Sequence, residues 1–225
     1  MGFGIANDAA ADKVLDEHAF APLIGMMLDQ QYGMEHAFRG PWKVLDRFGT
    51  LDPAAIAAAD PEAFTALCSV PPAIHRFPAS MAARLQDLAR VITTEYDGDT
   101  ARLWNEATSG KDLLTRLMAL PGFGKQKAQI FVALLAKQLG VRPDGWETVA
   151  GDYALDGYRS AADVVDGDSL VKVRAFRPFR RLPDPEPTSE RLPLGRPAVA
   201  CQSTDDAKFS ASVPWPLPKM IDARR

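Results

Sequence analysis

The sequence predicts an all-α protein, and three observations point to that class. Apolar residues recur at helical spacing through the first three quarters of the 225 residues. No segment alternates polar and apolar residues strongly enough to favour a strand, and residues that cap helices precede several of the periodic segments. The periodicity disappears near residue 176, after which proline becomes frequent. We therefore expect a helical domain over residues 1–176 and a Pro-rich tail over residues 177–225.

The helix starts can be placed in chain order from these caps. Asp52 before Pro53 and Asp60 before Pro61 each place a capping carboxylate ahead of a proline at the first helical position, which predicts two short helices. The later helices follow Pro78, a capping box of Ser109 with Asp112, and a cap of Ser160 with Asp163, and a last one lies near 169–176.

The most informative segment is 120–124 (Leu-Pro-Gly-Phe-Gly), which joins two amphipathic helices. Two glycines around one apolar residue allow a sharp turn whose backbone amides no side chain covers. A helix starts directly afterwards at Lys125, so unpaired N–H groups and the positive end of a helix dipole point the same way. Such an arrangement binds an anion, and a phosphate is the obvious candidate.

This segment resembles the helix-hairpin-helix of the HhH-GPD superfamily of base-excision DNA glycosylases, whose signature is LPGxG followed by a small-residue helix. Residues 23–31 are similar to the family's early helix, which ends in a Leu-x-x-Gln pattern near the DNA, and residues 69–90 to its middle helices. The resemblance covers roughly residues 18–145. It implies a two-lobed, all-α fold over 1–176 with a cleft between the lobes, and a helix-hairpin-helix at about 111–139.

The resemblance also implies a base-excision repair protein that removes a damaged base from duplex DNA. Breaking the bond between base and deoxyribose passes through an oxocarbenium-like state, which a carboxylate can stabilise. The base must leave the duplex, and a side chain must fill the vacated space. A glutamine at the end of the early helix suits that task, and Gln31 aligns better than Gln30. The DNA-binding residues implied are Gln30, Gln31, Arg76, Gly122, Phe123, Gly124, Lys125 and Lys127.

The position of the family's Schiff-base lysine is occupied by Gln126, whose amide cannot form an imine. The resemblance therefore implies a monofunctional glycosylase. The alternative is that Lys127, one position further on, is a substitute nucleophile. Asp144 lies eighteen residues after Gln126, the family's spacing for the catalytic acid. Its sequence context differs from the family pattern, and Asp144 with Glu147 could instead be a capping box. Two alternatives stay open: Asp152 is the acid, or the chain is a non-catalytic DNA-binding module.

Aromatic side chains near these candidates could line a base pocket, and Tyr32 and Trp146 are the best placed. No metal site is predicted, because the three histidines are scattered. The two cysteines, Cys68 and Cys201, cannot supply the four-cysteine iron–sulfur cluster of endonuclease III-like relatives. The resemblance allows a monovalent cation at the hairpin carbonyls.

Charge and hydropathy limit how this protein could bind DNA or a membrane. The chain has 26 basic and 29 acidic side chains, so any affinity for double-stranded DNA must come from a local basic surface and the hairpin amides. No leader-like apolar region and no 18-residue apolar run occur, so no membrane is expected. We expect a cytoplasmic monomer that associates with the nucleoid through DNA.

The tail has a composition of its own. Nine of the eighteen prolines lie between Pro178 and Pro218, so we expect residues 177–225 to be disordered. Residues 213–218 (VPWPLP) could be a polyproline ligand for a protein partner, which would make the chain an adaptor.

Overall fold

The computed structural model of this chain describes residues 2–176, which fold into a series of helices. Within those residues no β-strand occurs, so the all-α prediction is confirmed. The α-helices are α1 (Ala9–Glu17), α2 (Phe20–Leu28), α3 (Met34–Phe38), α4 (Gly40–Phe48), α5 (Pro53–Ala58), α6 (Pro61–Ser69), α7 (Pro78–Glu95), α8 (Arg102–Asn105), α9 (Gly110–Met118), α10 (Lys125–Gln138), α11 (Trp146–Ala150) and α12 (Gly167–Phe176). Two 3-10 helices, Gly151–Ala154 and Ala161–Asp163, lie between α11 and α12.

The predicted capping residues start the helices as expected. The Asp52 carboxylate accepts hydrogen bonds from the first amides of α5, and the Asp60 carboxylate accepts one from the first turn of α6. The Ser109 hydroxyl accepts the amide of Asp112 at the start of α9. The Asp112 carboxylate reaches one residue past Ser109, to the amide of Thr108, so the predicted box is shifted by one position.

Packing divides the helices into two lobes. Lobe 1 contains α1–α7, in which α7 packs on α5 and α6 while α2 packs on α3 and α4. Lobe 2 contains α8–α12 with both 3-10 helices, and α10 is its centre. Helix α2 is buried on every side, because all nine of its residues are apolar or small and none faces solvent. This arrangement confirms the two-lobed fold.

The prediction that the early helix runs to Gln31 is wrong. Helix α2 ends at Leu28, and the chain turns so that Gln30 and Gln31 are exposed. Continuing the helix would carry polar side chains into a core that surrounds α2, and an unpaired buried polar group costs free energy. Gln31 instead adopts a left-handed backbone conformation, with φ of 55°.

No helix in the described part of the chain is long and apolar enough to cross a bilayer. Cys68 is buried and carries a free thiol. The predictions of a disordered tail and of a polyproline ligand at 213–218, as well as Cys201, lie outside residues 2–176.

Candidate nucleic-acid interface

The hairpin between α9 and α10 is closed by its own backbone. The Phe123 amide donates to the Leu120 carbonyl across 3.1 Å, with Pro121 and Gly122 at the centre of the turn. Gly122 has a φ of 83°, and a Cβ atom there would lie 2.9 Å from Cδ of Arg84. A glycine is therefore required at this position, both for the backbone conformation and for the close approach.

Beyond the turn, the start of α10 is open. Gly124 is extended rather than left-handed, and a Cβ atom there would meet nothing within 4 Å. No side chain caps α10, so the first amides of the helix, from Lys125 onward, have no partner within the helix. Lys125 is exposed beside them. Unpaired donors, a helix dipole and a basic side chain together form a surface that can bind a phosphate.

Phe123 has a structural role in this hairpin. Its ring is buried and packs edge-on against Phe131, with the ring centres 6.0 Å apart. Its amide already closes the turn. Phe123 therefore anchors the hairpin to the core of lobe 2 while its glycine neighbours face outward.

The turn that follows α2 is held by two side chains of lobe 1. Nη1 of Arg84 donates to Oε1 of Gln30 at 2.6 Å. Nδ1 of His75 accepts the Phe77 amide, so the ring proton lies on Nε2, which donates to the Gln30 carbonyl at 3.0 Å. His75 is only 2% exposed, and this burial lowers its pKa, which favours the neutral ring. Gln31, at φ 55°, is the next residue on this restrained turn.

Arg84 and Lys127 bring this turn and the hairpin together. The aliphatic part of Arg84 contacts Gly122 while its guanidinium binds Gln30. Nζ of Lys127, in the first turn of α10, donates to the Met27 carbonyl at 2.9 Å. Two segments about 90 residues apart in the sequence therefore lie side by side on one face of the molecule.

A cleft of about 1070 Å³ opens beside this contact, between the two lobes. We call it the interlobe cleft. Its polar and aromatic lining includes Asp29, Gln31, Tyr32, Glu35 and Arg76 from lobe 1 and Gln126, Lys127, Tyr153, Arg159 and Arg174 from lobe 2. Tyr32 is half-buried, with its ring centre 4.6 Å from that of His75. Nε2 of Gln126 donates to the Tyr153 hydroxyl at 3.0 Å. The cleft thus combines an aromatic wall with hydrogen-bonding groups and charges of both signs.

A family model described as HhH-GPD superfamily base excision DNA repair protein matches residues 24–194. This chain belongs to that superfamily. The match begins inside α2, includes the hairpin, all of lobe 2 and lobe 1 without α1, and continues past residue 176, the domain boundary expected from the sequence. No curated protein and no solved structure matches the chain.

In this HhH-GPD protein, Asp144 lies away from the cleft. It is exposed, and its carbonyl accepts the amide of Gly110, the first residue of α9, at 2.8 Å. The hairpin follows the opposite end of that nine-residue helix, about 12 Å along its axis. The alternative that Asp144 caps α11 is wrong, because the N-cap is Gly145, at φ 76°, with no side-chain hydrogen bond.

Two other predicted residues, Asp152 and Trp146, differ in their relation to the cleft. Asp152 is exposed on the 3-10 helix Gly151–Ala154, next to Tyr153, which lines the cleft. Trp146 is buried against the start of α9, where a Cβ atom on Gly110 would lie 2.7 Å from Cα of Trp146. That position is at the same end of lobe 2 as Asp144, so of the predicted aromatic pair only Tyr32 is among the cleft residues described.

Several cleft residues were not predicted from the sequence. Glu35 forms an ion pair with Arg174 of α12. Burial raises the pKa of Glu35, but the hydrogen bond and charge of Arg174 outweigh it and hold the pKa below its usual value. The two residues are far apart in the chain, so no local pattern predicts their contact. Asp29 could have been found, because it directly precedes the two glutamines that the resemblance singled out.

Proposed function

We propose that this base-excision repair protein is a monofunctional DNA N-glycosylase that acts on a damaged base in duplex DNA. One observation carries the proposal: an open helix-hairpin-helix lies directly beside a cleft that can receive a base, and Arg84 and Lys127 connect the two. Anchoring the DNA backbone and holding an extruded nucleotide are the two tasks of such an enzyme.

The hairpin is proposed to bind the DNA backbone. The amides at the start of α10 would donate to a phosphate, with Lys125 adding charge. A monovalent cation on the hairpin carbonyls would add positive charge at the same place. Because the whole chain carries a net charge of −3, this local contact must supply most of the attraction. We expect the protein to act on DNA as a monomer.

The damaged nucleotide would enter the interlobe cleft. Gln31 would fill the space left in the duplex, where its amide can pair with whichever base has lost its partner. Arg76 is exposed at the cleft and adds positive charge near the entering strand. Tyr32 offers a ring for stacking, and the Gln126–Tyr153 pair offers polar groups to the edge of the base.

The chemistry is proposed to be hydrolysis without a covalent enzyme intermediate. Gln126 stands at the family's lysine position, and an amide cannot form an imine with the sugar. Lys127 follows that position directly, but its Nζ is engaged with the Met27 carbonyl. The abasic product should therefore keep its strand intact.

Labelled duplexes that contain uracil, an alkylated purine or an oxidised purine test the proposal. The purified protein should release at least one of these bases, and the strand should break only after alkali. A strand cut without alkali, together with an enzyme–DNA adduct trapped by borohydride, would contradict the monofunctional mechanism and point to Lys127 as a nucleophile.

A non-catalytic DNA-binding module is the second candidate function. It is favoured by the position of Asp144, which lies outside the cleft although it has the family's spacing for the acid. This module would bind duplexes with a strong dependence on salt and leave no abasic site on any lesion.

A further inference from the structure

We propose that the carboxylate of Asp29 stabilises the positive charge that develops on the deoxyribose, in place of an acid that follows the second hairpin helix. The inference rests on the proposed glycosylase function and assigns a catalytic residue to it. It places the acid in lobe 1, across the cleft from the hairpin helix.

Asp29 has a rigid support. It is the residue directly after α2, and its amide donates to the Gly25 carbonyl at 3.0 Å. Because all nine residues of α2 are buried in the core, the end of this helix cannot shift without disturbing the packing around it. Catalytic groups on such elements keep their geometry better than groups on loops. Asp29 itself is half-buried and lines the interlobe cleft.

Lys127 provides a counter-charge beside Asp29. Its Nζ binds the carbonyl of Met27, two residues before Asp29, and both side chains line the cleft. Removal from water lowers the pKa of Lys127 to about 8, although the negative charge of Asp29 acts in the opposite direction. Lys127 is therefore still mainly an ammonium group at neutral pH. An ammonium at this place favours the ionised form of the carboxylate, which is the form that can stabilise a cation.

The position of Asp29 in the turn that follows α2, close to Gln31, fits the geometry of base extrusion. Asp29 lies two residues before Gln31, which is proposed to enter the duplex where the base has left. The sugar of the extruded nucleotide remains attached to the backbone next to that gap. A carboxylate on the first residue of the same turn, in the lining of the cleft, is therefore close to the position that C1′ of the extruded nucleotide would take.

The other acidic side chains are less suited to this role. Glu35 is the second carboxylate in the described lining of the cleft, and it lies on α3, beyond the turn that carries Gln31. Asp144 is at the far end of α9. Asp152 is exposed beside the cleft rather than in its lining.

The reaction balances as a hydrolysis. The bond between C1′ and the base nitrogen breaks, and its electron pair leaves with the base. The Asp29 carboxylate stabilises the resulting oxocarbenium ion while water attacks C1′. The hydroxyl of that water stays on the sugar and its proton goes to the base, by way of solvent or Asp29. The products are a free base and an abasic site, and Asp29 is unchanged.

The test is base release under single-turnover conditions by the full chain and by Asp29→Asn, on the lesion that the wild-type protein excises best. Loss of one charge-stabilising group should lower the rate on the order of 10²–10³-fold. Duplex affinity, measured by fluorescence anisotropy, should be retained, because the hairpin is intact. Asp87→Asn is the matched control, since Asp87 is exposed on α7 and pairs only with Arg90 among its ionic contacts within residues 2–176.

Each result has a defined meaning. If the wild-type protein releases no base from any lesion, the proposed function fails, and this inference fails with it. If the wild-type protein is active and Asp29→Asn keeps its rate, or if Asp152→Asn alone loses it, the inference is overturned and the proposed function stands. Should Asp29→Asn fail to fold by circular dichroism, Asp29→Ala takes its place. Loss of excision in a folded variant that still binds the duplex supports the assignment.

Discussion

The hairpin at 119–124, which leads into α10, and the segment at 141–152, which packs on α10, both belong to lobe 2, yet they differ in how well they fit the family pattern. The hairpin has its two glycines, its open amides and its basic first turn in one place beside the cleft. The second segment carries the acid predicted by spacing, but Asp144 faces solvent at the opposite end of α9. Under the proposed function, the DNA-anchoring half of the site lies in lobe 2, whereas the proposed acid, Asp29, lies in lobe 1.

The largest effect on the hairpin side of this comparison is expected from Gly122→Val. A side chain at φ 83° and 2.9 Å from Arg84 must distort the turn, which should cost about 1–3 kcal/mol of unfolding free energy. Duplex affinity should fall roughly tenfold or more, because the open amides would be displaced. Urea unfolding and fluorescence anisotropy measure the two quantities.

Gly124→Val is the matched control for that change. Gly124 is extended and has open space around its Cβ position, so this variant should keep the stability of the wild-type protein. It should still weaken DNA binding, because its side chain would cover the start of α10. Equal losses of stability in the two variants would contradict the geometry described for the hairpin.

Arg84→Met tests the connection between the hairpin and the turn that follows α2. Methionine keeps the aliphatic contact with Gly122 and removes the hydrogen bond to Gln30, so Gln31 should lose its fixed position. We expect base release to slow about tenfold with little change in stability, since one hydrogen bond contributes about 1 kcal/mol. Arg90→Met, at an exposed position on the same helix, is the control. If both variants release base at the same rate, the proposed positioning role of Arg84 is wrong.

His75 adds a pH dependence to the same turn. In the folded protein burial lowers the pKa of His75 below 6.5, so below that pH the unfolded chain takes up a proton that the folded chain excludes. The free energy of unfolding should therefore decrease as pH falls from 7.5 to 5.5. The decrease should be smaller in His75→Gln, which does not titrate. Urea unfolding at both pH values gives the comparison, and parallel changes in the two proteins would rule out a contribution from His75.

The smallest effect is expected from Asp144→Asn. Its side chain caps no helix, and its backbone carbonyl makes the contact with α9, which the substitution keeps. Base release and stability should both stay near the wild-type values. A loss of excision with retained DNA binding would instead restore the assignment that its spacing predicts, and would remove the contrast between the two segments.

Features that depend on neighbouring residues were predicted well from the sequence. The caps of α5, α6 and α9, the sharp turn between α9 and α10, and the uncapped start of α10 were all predicted from it. Each depends on the backbone preferences and hydrogen bonds of a few consecutive residues. The amide at Gln126, which leads to the monofunctional proposal, is likewise a property of one position in a local motif.

Other features depend on which segments the core brings together. The length of α2, the separation of Asp144 from the hairpin, and the placement of Asp29 and Lys127 in one cleft each involve burial or contacts between residues that are distant in the chain. Spacing along the chain cannot predict them, because the direction of a side chain after a turn is set by how whole helices pack. The hairpin therefore follows from local sequence, whereas the composition of the cleft follows from the packing of two lobes around α2 and α10.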